Sequence, residues 1–425
     1  MKYVVLIGDG MADRPVSSVT ATNSSAEISG GRADETPLHV AETPNMDFIA
    51  SAGKMGLART IPEGCPAGSD IAILSILGYD PRKYYTGRGP LEALGMGIPL
   101  QKNDIVFRCN LATVQNGRIT DYSGGHISTE EAKVLISALN EGIKERLKER
   151  GMGEIAGKIK FYAGVSYRNV LVLSGFPRSA EIVRGGSAPP HEIVGERIEE
   201  HLPKAEVLRE IVLASHEILE AHELNAARSQ AGKNKANIVW LWSGGVAPKM
   251  PAFKQKYGVG GGVVSAVMLV KGIGRCIGLE VAEVEGATGF LDTNYEGKVQ
   301  HALSILRRSD FVLLHVEAPD EASHLGDFEL KVKAIEDFDK RVVGRMLDNL
   351  SAFDEDFRIL LMPDHATPVS LKVHTKEPVP FAIYDSRTNK NAKERRGFDE
   401  KSASAGELGI VDALNLMNML LEQKK

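Results

Sequence analysis

Short apolar runs rich in Val, Ile and Leu recur along the chain, each closed by Gly, Pro or a polar residue. The first, Tyr3-Val4-Val5-Leu6-Ile7, stops at Gly8-Asp9-Gly10. Its length and β-branching predict a buried strand followed by a loop. The same reasoning predicts strands over 105–114, 159–163, 168–174, 238–243, 277–284, 310–316, 357–362 and 379–384. Between these runs, apolar residues fall at helical spacing. Thr43-Pro44-Asn45 predicts a helix start with Pro at the first helical position; Met46, Ile49 and Ala50 share one face, and Gly53 is the stop. Ser128 followed by Glu131 is a capping-box pattern, and Val134, Leu135, Leu139, Ile143 and Leu147 keep the helical period over 128–150. Further helices are predicted over 191–201, 205–228, 262–272, 295–308, 328–350 and 409–423.

Past residue 189, strand and helix signals alternate. That order predicts a largely parallel sheet covered by helices on both faces. The stretch 104–188 differs: several strands accompany one clear helix, and Gly185-Gly186-Ser187-Ala188-Pro189-Pro190 has the composition of a closing linker. The predicted organisation is therefore α/β, with a core domain of 1–103 and 189–425 and an inserted, smaller α+β domain of 104–188. The segments 16–36 and 387–401 read as surface loops, and no internal repeat or low-complexity tract occurs.

Composition narrows the function classes. The 425 residues are 43% hydrophobic and 25% charged, an ordinary globular balance, with a net charge of −5 from 51 basic and 56 acidic residues. No basic patch points to nucleic acid, and no polybasic block points to a membrane surface. Cys65, Cys109 and Cys276 are scattered without a C-x-x-C, which fits a reducing compartment and a cytoplasmic location. The first apolar run is too short for a signal peptide, and no stretch reaches the length of a membrane span.

Candidate chemistry lies just past the predicted strands. Asp9 follows the first; Asp320 and His324 follow the strand ending near Val316; Asp364 and His365 follow the strand ending at Met362; His374 comes soon after. In a parallel sheet these ends share one edge, where such folds bind ligands. Three carboxylates and three imidazoles are too many for one borderline divalent ion with an open position, and about right for a pair roughly 4 Å apart that clamps a phosphoryl group. Taken singly, each Asp reads as a cap or turn former, and both readings stand at this point. Asp320 and His324, four residues apart, share a face if the segment is helical. His191, His201, His216, His222, His301 and His315 lack such spacing and read as ordinary surface or hydrogen-bonded histidines.

Ser69, after the Gly- and Pro-rich loop 61–68 and before the apolar run Ile71 to Leu77, is placed at a helix N-terminus. There it is either an N-cap or a nucleophile whose anion the helix end favours. Cys65 is a weaker nucleophile candidate, because no basic residue nearby lowers its pKa. The run Gly258-Val259-Gly260-Gly261-Gly262 reads as a flexible turn, since no G-x-G-x-x-G or G-K-[ST] follows. Trp240 and Trp242 alternate in a predicted strand and read as packing residues.

Together Asp9, Thr43-Pro44-Asn45-Met46-Asp47, Ser69, Asp320-x-x-x-His324, Asp364-His365 and His374 resemble the alkaline phosphatase superfamily. The stretches IGDGMADRP (7–15), AETPNMDFIASAG (41–53), PAGSDIAILSILGYDP (66–81), YYTGRGPLEALGMGI (84–98), EAPDEASHLGD (317–327) and PDHATPVSLKVHT (363–375) are similar to the archaeal-type, 2,3-bisphosphoglycerate-independent phosphoglycerate mutases, over nearly the whole chain. The resemblance implies an alkaline-phosphatase-like, mostly parallel sheet sandwiched by helices, with the inserted α+β domain as a substrate-binding lid. It further implies two divalent ions, Mn²⁺ first, with Co²⁺, Mg²⁺ or Zn²⁺ as alternatives, and no 2,3-bisphosphoglycerate. Asp9, Ser69, Asp364 and His365 would hold one ion, and Asp320, His324 and His374 the other. His126 and Arg168 are the lid candidates for substrate binding, His126 also for proton transfer, and Lys271 is the core candidate. Residues 20–34 make a longer loop than the resemblance leads one to expect.

By the same resemblance, Ser69 would take the phosphoryl group of 3-phosphoglycerate and return it to the 2-hydroxyl. A metal-dependent phosphomonoesterase or phosphodiesterase is the alternative, since the same ligands serve transfer to water. A sulfatase would need C-x-P-x-R, which Cys65-Pro66-Ala67-Gly68-Ser69 does not match. The oligomeric state is left open.

Overall fold

The computed structural model describes residues 1–15, 35–176, 180–388 and 396–422; the expected long loop over 20–34 and residues 389–395 of the charged segment 387–401 lie outside them. The chain divides into two compact units, Met1–Tyr85 with Met250–Lys425, and Thr86–Lys249. Both divisions fall outside the expected limits of 104 and 188.

In chain order the strands are β1 (Lys2–Gly8), β2 (Lys54–Arg59), β3 (Ile105–Gln115), β4 (Arg118–Asp121), β5 (Ile159–Val165), β6 (Arg168–Leu173), β7 (Ile238–Val246), β8 (Gly261–Val264), β9 (Glu280–Ala282), β10 (Phe311–Val316), β11 (Phe357–Met362), β12 (Val379–Asp385) and β13 (Ile410–Asp412).

The first unit holds an eight-stranded sheet in the order β13-β2-β12-β11-β1-β10-β8-β9. β11, β1, β10, β8 and β9 are parallel. β12 runs antiparallel to both β11 and β2. Every residue of β10 and β11 is buried, as expected for strands covered on both faces. Val4, Leu6, Val312, Leu314, Ile359 and Leu361 supply one face of the core, against helices that include Tyr295–Leu306 and Phe328–Phe338. Register aligns the strand ends: Gly8 pairs with Val316, and Ile7 with Met362. The residues that follow all three strands therefore emerge at one edge.

Several local expectations change. The helix expected over 262–272 begins only at Met268, and Gly261–Val264 is strand β8 between β10 and β9. The reading of Gly258–Gly262 as one flexible turn changes with it. A Cβ on Gly261 would lie 2.1 Å from the Phe311 carbonyl oxygen, so glycine permits this close strand pairing. The strand expected over 277–284 is only Glu280–Ala282. The helix expected over 409–423 is Leu416–Leu421, because Ile410–Asp412 pairs with β2 at the sheet edge. The helix expected over 191–201 is two short turns, Pro190–Glu192 and Ile198–His201. The one expected over 205–228 breaks into Glu206–Glu220 and Glu223–Gln230 where His222 Nδ1 accepts from the Leu224 N–H.

The second unit holds a five-stranded sheet, β4-β3-β6-β5 with β7 also on β3. β7 was expected in the parallel core. It pairs antiparallel with β3 instead, because a fully apolar run fits either sheet and the partner is chosen by tertiary contacts. Ser128 and Glu131 form the complete capping box of helix Thr129–Glu149, whose Leu135, Leu139, Ile143 and Leu147 are buried. Trp240 and Trp242 pack as expected, donating their indole N–H groups to the Ala188 carbonyl and Asn110 Oδ1.

Candidate functional site

At the carboxyl edge of β1, β10 and β11, the loop and helix starts bring Asp9, Ser69, Asp320, His324, Asp364, His365 and His374 together, all in the first unit. Helix Ala318–Leu325 follows β10 directly, and its spacing sets Asp320 Oδ2 at 3.1 Å from His324 Nε2. His374 Nε2 lies 3.4 Å from the same oxygen and 3.0 Å from His324 Nε2. Ligand atoms held about 2.1 Å from one tetrahedral ion are ~3.4 Å apart, close to these separations. A second group forms around His365 Nε2, which is 3.5 Å from Asp9 Oδ1, 3.4 Å from Asp364 Oδ2 and 3.1 Å from Ser69 Oγ. The rings of His365 and His374 are 4.0 Å apart, so the two groups adjoin.

Each carboxylate has one oxygen fixed by protein donors. Asp364 Oδ1 accepts from the Gly10 and His365 N–H groups. Asp9 Oδ2 lies 2.9 Å from His315 Nε2, and Asp320 Oδ1 accepts from Thr367 Oγ1 at 2.6 Å. The other oxygens face the groups just described. Asp9 Oδ1 and Asp364 Oδ2 are buried and have no hydrogen-bond partner among the described residues. Two buried, unpartnered carboxylate oxygens beside an imidazole lone pair are costly in isolation and fit a divalent cation. The imidazoles are likewise oriented from behind. His324 Nδ1 donates to the Lys372 carbonyl, and His365 Nδ1 lies 3.1 Å from Thr367 Oγ1. Outer partners of this kind select the ring nitrogen left to face a metal.

The electrostatics follow. Burial, then the Asp364 and Asp320 carboxylates, push Asp9 well above the usual carboxylate range. Burial alone would raise Asp320, but the His324 and His374 imidazoles hold it well below its ordinary value. The hydrogen bond that His324 donates to Asp320 raises the imidazole to about 9, whereas burial lowers His365.

Helix Ser69–Ile76 has Gly68 as its N-cap, so Ser69 is its first residue and not the cap. The Ser69 hydroxyl is turned toward His365, within 3.5 Å of Asp9 Oδ2. Cys65 is buried, and burial pushes its thiol up, away from nucleophilic use.

The three weaker candidates lie elsewhere. His126 and Arg168 are exposed in the second unit, on neighbouring turns joined by a Tyr122–Tyr167 ring contact and a hydrogen bond from Ser166 Oγ to the Ile127 carbonyl. Arg168 lies over the Tyr167 ring. Lys271 is in the first unit, where Nζ meets Glu283 Oε2 at 2.5 Å. Sequence reasoning passed over His315 and Thr367. Their signal was local: a histidine inside an otherwise apolar strand, and a threonine two residues past Asp364-His365.

Residues 50–225 match the family model for 2,3-bisphosphoglycerate-independent phosphoglycerate mutase. A relative from Methanosarcina barkeri, described as 2,3-bisphosphoglycerate-independent phosphoglycerate mutase, is 48% identical over 428 residues, covering all of both chains. Among solved structures, the PH0037 protein from Pyrococcus horikoshii is 31% identical with a TM-score of 0.79, covering 100% of this chain and 98% of that one. The cofactor-independent phosphoglycerate mutase from Thermoplasma acidophilum is 28% identical with a TM-score of 0.64, covering 99% of each. With an identity of this size over the full length, and the same fold, the chain belongs to the 2,3-bisphosphoglycerate-independent phosphoglycerate mutases, a family of isomerases.

Proposed function

We propose that the chain interconverts 3-phosphoglycerate and 2-phosphoglycerate through a phosphoserine on Ser69, at a centre for two divalent ions. The observation that carries this reading is the pair of buried, unpartnered oxygens, Asp9 Oδ1 and Asp364 Oδ2, beside the Ser69 hydroxyl and His365 Nε2. Asp9, Ser69, Asp364 and His365 would hold one ion, and Asp320, His324 and His374 the other. Mixed oxygen and nitrogen donors suit Mn²⁺ first, with Co²⁺, Mg²⁺ and Zn²⁺ also compatible. When bound, such ions neutralise charge on a transferring phosphoryl group and ease ionisation of a serine hydroxyl.

Ser69 Oγ bonds to phosphorus as the bond to the substrate's 3-oxygen breaks, and the proton that Ser69 gives up ends on that oxygen as the 3-hydroxyl of glycerate. The positive end of the helix that Ser69 opens favours the phosphoryl oxygens. The retained glycerate then offers its 2-hydroxyl, which takes the phosphoryl group back and regenerates Ser69. No 2,3-bisphosphoglycerate is needed, because the transferred group is the substrate's own. We assign substrate binding to His126, Arg168 and Lys271, with His126 moving the hydroxyl proton.

An enolase-coupled assay on 3-phosphoglycerate, without 2,3-bisphosphoglycerate, tests this directly. Turnover is expected, lost on chelation and restored by Mn²⁺. Ser69→Ala is expected to lower kcat by on the order of a thousand-fold or more. Turnover that survives this substitution excludes the phosphoserine route. Release of inorganic phosphate in place of 2-phosphoglycerate favours a phosphomonoesterase.

A further inference from the structure

His315 is fully buried in β10, one of the central strands of the parallel sheet. Strand alternation puts it on the face opposite Val312, Leu314 and Val316, which pack in the main core. A polar ring at such a position needs partners, and both nitrogens have one. Nε2 lies 2.9 Å from Asp9 Oδ2, and Nδ1 lies 3.2 Å from Ser265 Oγ. Ser265 Oγ also accepts the Val267 N–H at 3.0 Å.

These contacts fix the proton positions. A metal ligand must be deprotonated, so Asp9 holding an ion is a carboxylate that only accepts, and Nε2 then carries the hydrogen and donates to it. Nδ1 of the neutral ring is then an acceptor, and the Ser265 hydroxyl donates to it. The result is a directed chain: Val267 N–H to Ser265, Ser265 O–H to His315, and His315 N–H to Asp9. His315, Asp9 and Asp364 offer atoms close enough to share one ion. However, with Nε2 protonated and Nδ1 occupied by Ser265, the imidazole has no lone pair left for a metal.

We propose that His315 is a positioning residue for Asp9: it holds Oδ2 and so aims Oδ1 at the ion that Ser69, Asp364 and His365 would share. This rests on the two-ion reading above. Without the donated hydrogen bond, Asp9 Oδ2 keeps only the long 3.5 Å contact from Ser69 Oγ, and the carboxylate loses its fixed orientation. The chain through Ser265 and Val267 anchors the ring to the turn after β8.

Mn²⁺ titration of chelator-stripped protein, followed by the electron paramagnetic resonance of the free ion, separates the two sites and needs no turnover. His315→Leu is expected to weaken one of two bound ions by about 10- to 100-fold and leave the other near its wild-type affinity. His315→Gln, which keeps an N–H near Nε2, is expected to restore most of that loss. Ser265→Ala is expected to weaken the same ion to a smaller degree, and it decides the matter should His315→Leu not fold. The kcat lost in either weakened variant should return at high Mn²⁺, which a general loss of structure would not allow. Wild-type affinity at both sites in His315→Leu, or in Ser265→Ala if the former does not fold, overturns the inference. Wild-type protein that takes up no Mn²⁺ overturns the two-ion reading itself, and this inference with it.

Discussion

Asp320 and His324 show how two side chains on one helical turn set each other's charge. His324 has a folded pKa of about 9 against an ordinary 6.5, chiefly because Asp320 accepts its hydrogen bond. In ion-free protein the stabilisation from this shift is complete below about 6.5 and is lost as pH rises through about 9. Asp320, held low, contributes above its ordinary 3.8, and that contribution is lost as pH falls. A divalent cation displaces the His324 proton, so metal affinity is expected to rise with pH over the range in which the ion-free pair weakens. Thermal unfolding of chelated wild type and His324→Gln at pH 6.5 and pH 9 checks the sign. The wild type should lose more of its Tm advantage at the higher pH; parallel behaviour of the two proteins refutes the coupling.

Among the elements, a buried ion pair ties the site loops together. Lys331, on helix Phe328–Phe338, donates to Asp13 Oδ2 at 2.9 Å and to the Ala12 and Thr367 carbonyls; both charged side chains are buried. Asp13 Oδ2 also accepts the Val369 N–H. One ammonium thus joins the loop after β1 to the loop that carries His365 and Thr367. Lys331→Met leaves the Asp13 charge without its partner and is expected to cost about 3–5 kcal/mol in urea unfolding. The Asp13→Leu, Lys331→Met double variant should recover a large part of that loss. A single variant that costs less than about 1 kcal/mol shows that the pair does not hold these loops.

For the whole molecule, every candidate ion ligand belongs to Met1–Tyr85 and Met250–Lys425. Ion binding to the native state alone stabilises it by about 2.7 kcal/mol per site at a hundred-fold excess over Kd. Hydrogen exchange with and without Mn²⁺ is therefore expected to gain protection first around residues 5–13, 315–325 and 360–375. Equal gains throughout Thr86–Lys249 would contradict an ion site confined to the first unit. No helix among the described residues is long and apolar enough to cross a membrane.

Period and punctuation in the sequence were enough to locate β1, β10, β11, the capped helix over 129–149 and the Asp and His residues just past the strands. These depend on neighbours a few positions away: β-branched runs, caps and the turn of a helix. The tertiary structure alone decided that 238–246 joins β3, that Gly261–Val264 is a strand and that the second unit begins at Thr86. An apolar run fits any sheet that buries it, and the choice lies with residues far off in the chain. The same holds within the site. Asp9, Ser69 and Asp364 were legible because each closes or opens an element. His315 and Thr367 were not, because their part comes from hydrogen bonds to Asp9 and Asp320, residues distant in sequence that only the register of β1 against β10 and the path of the loop after β11 bring within reach.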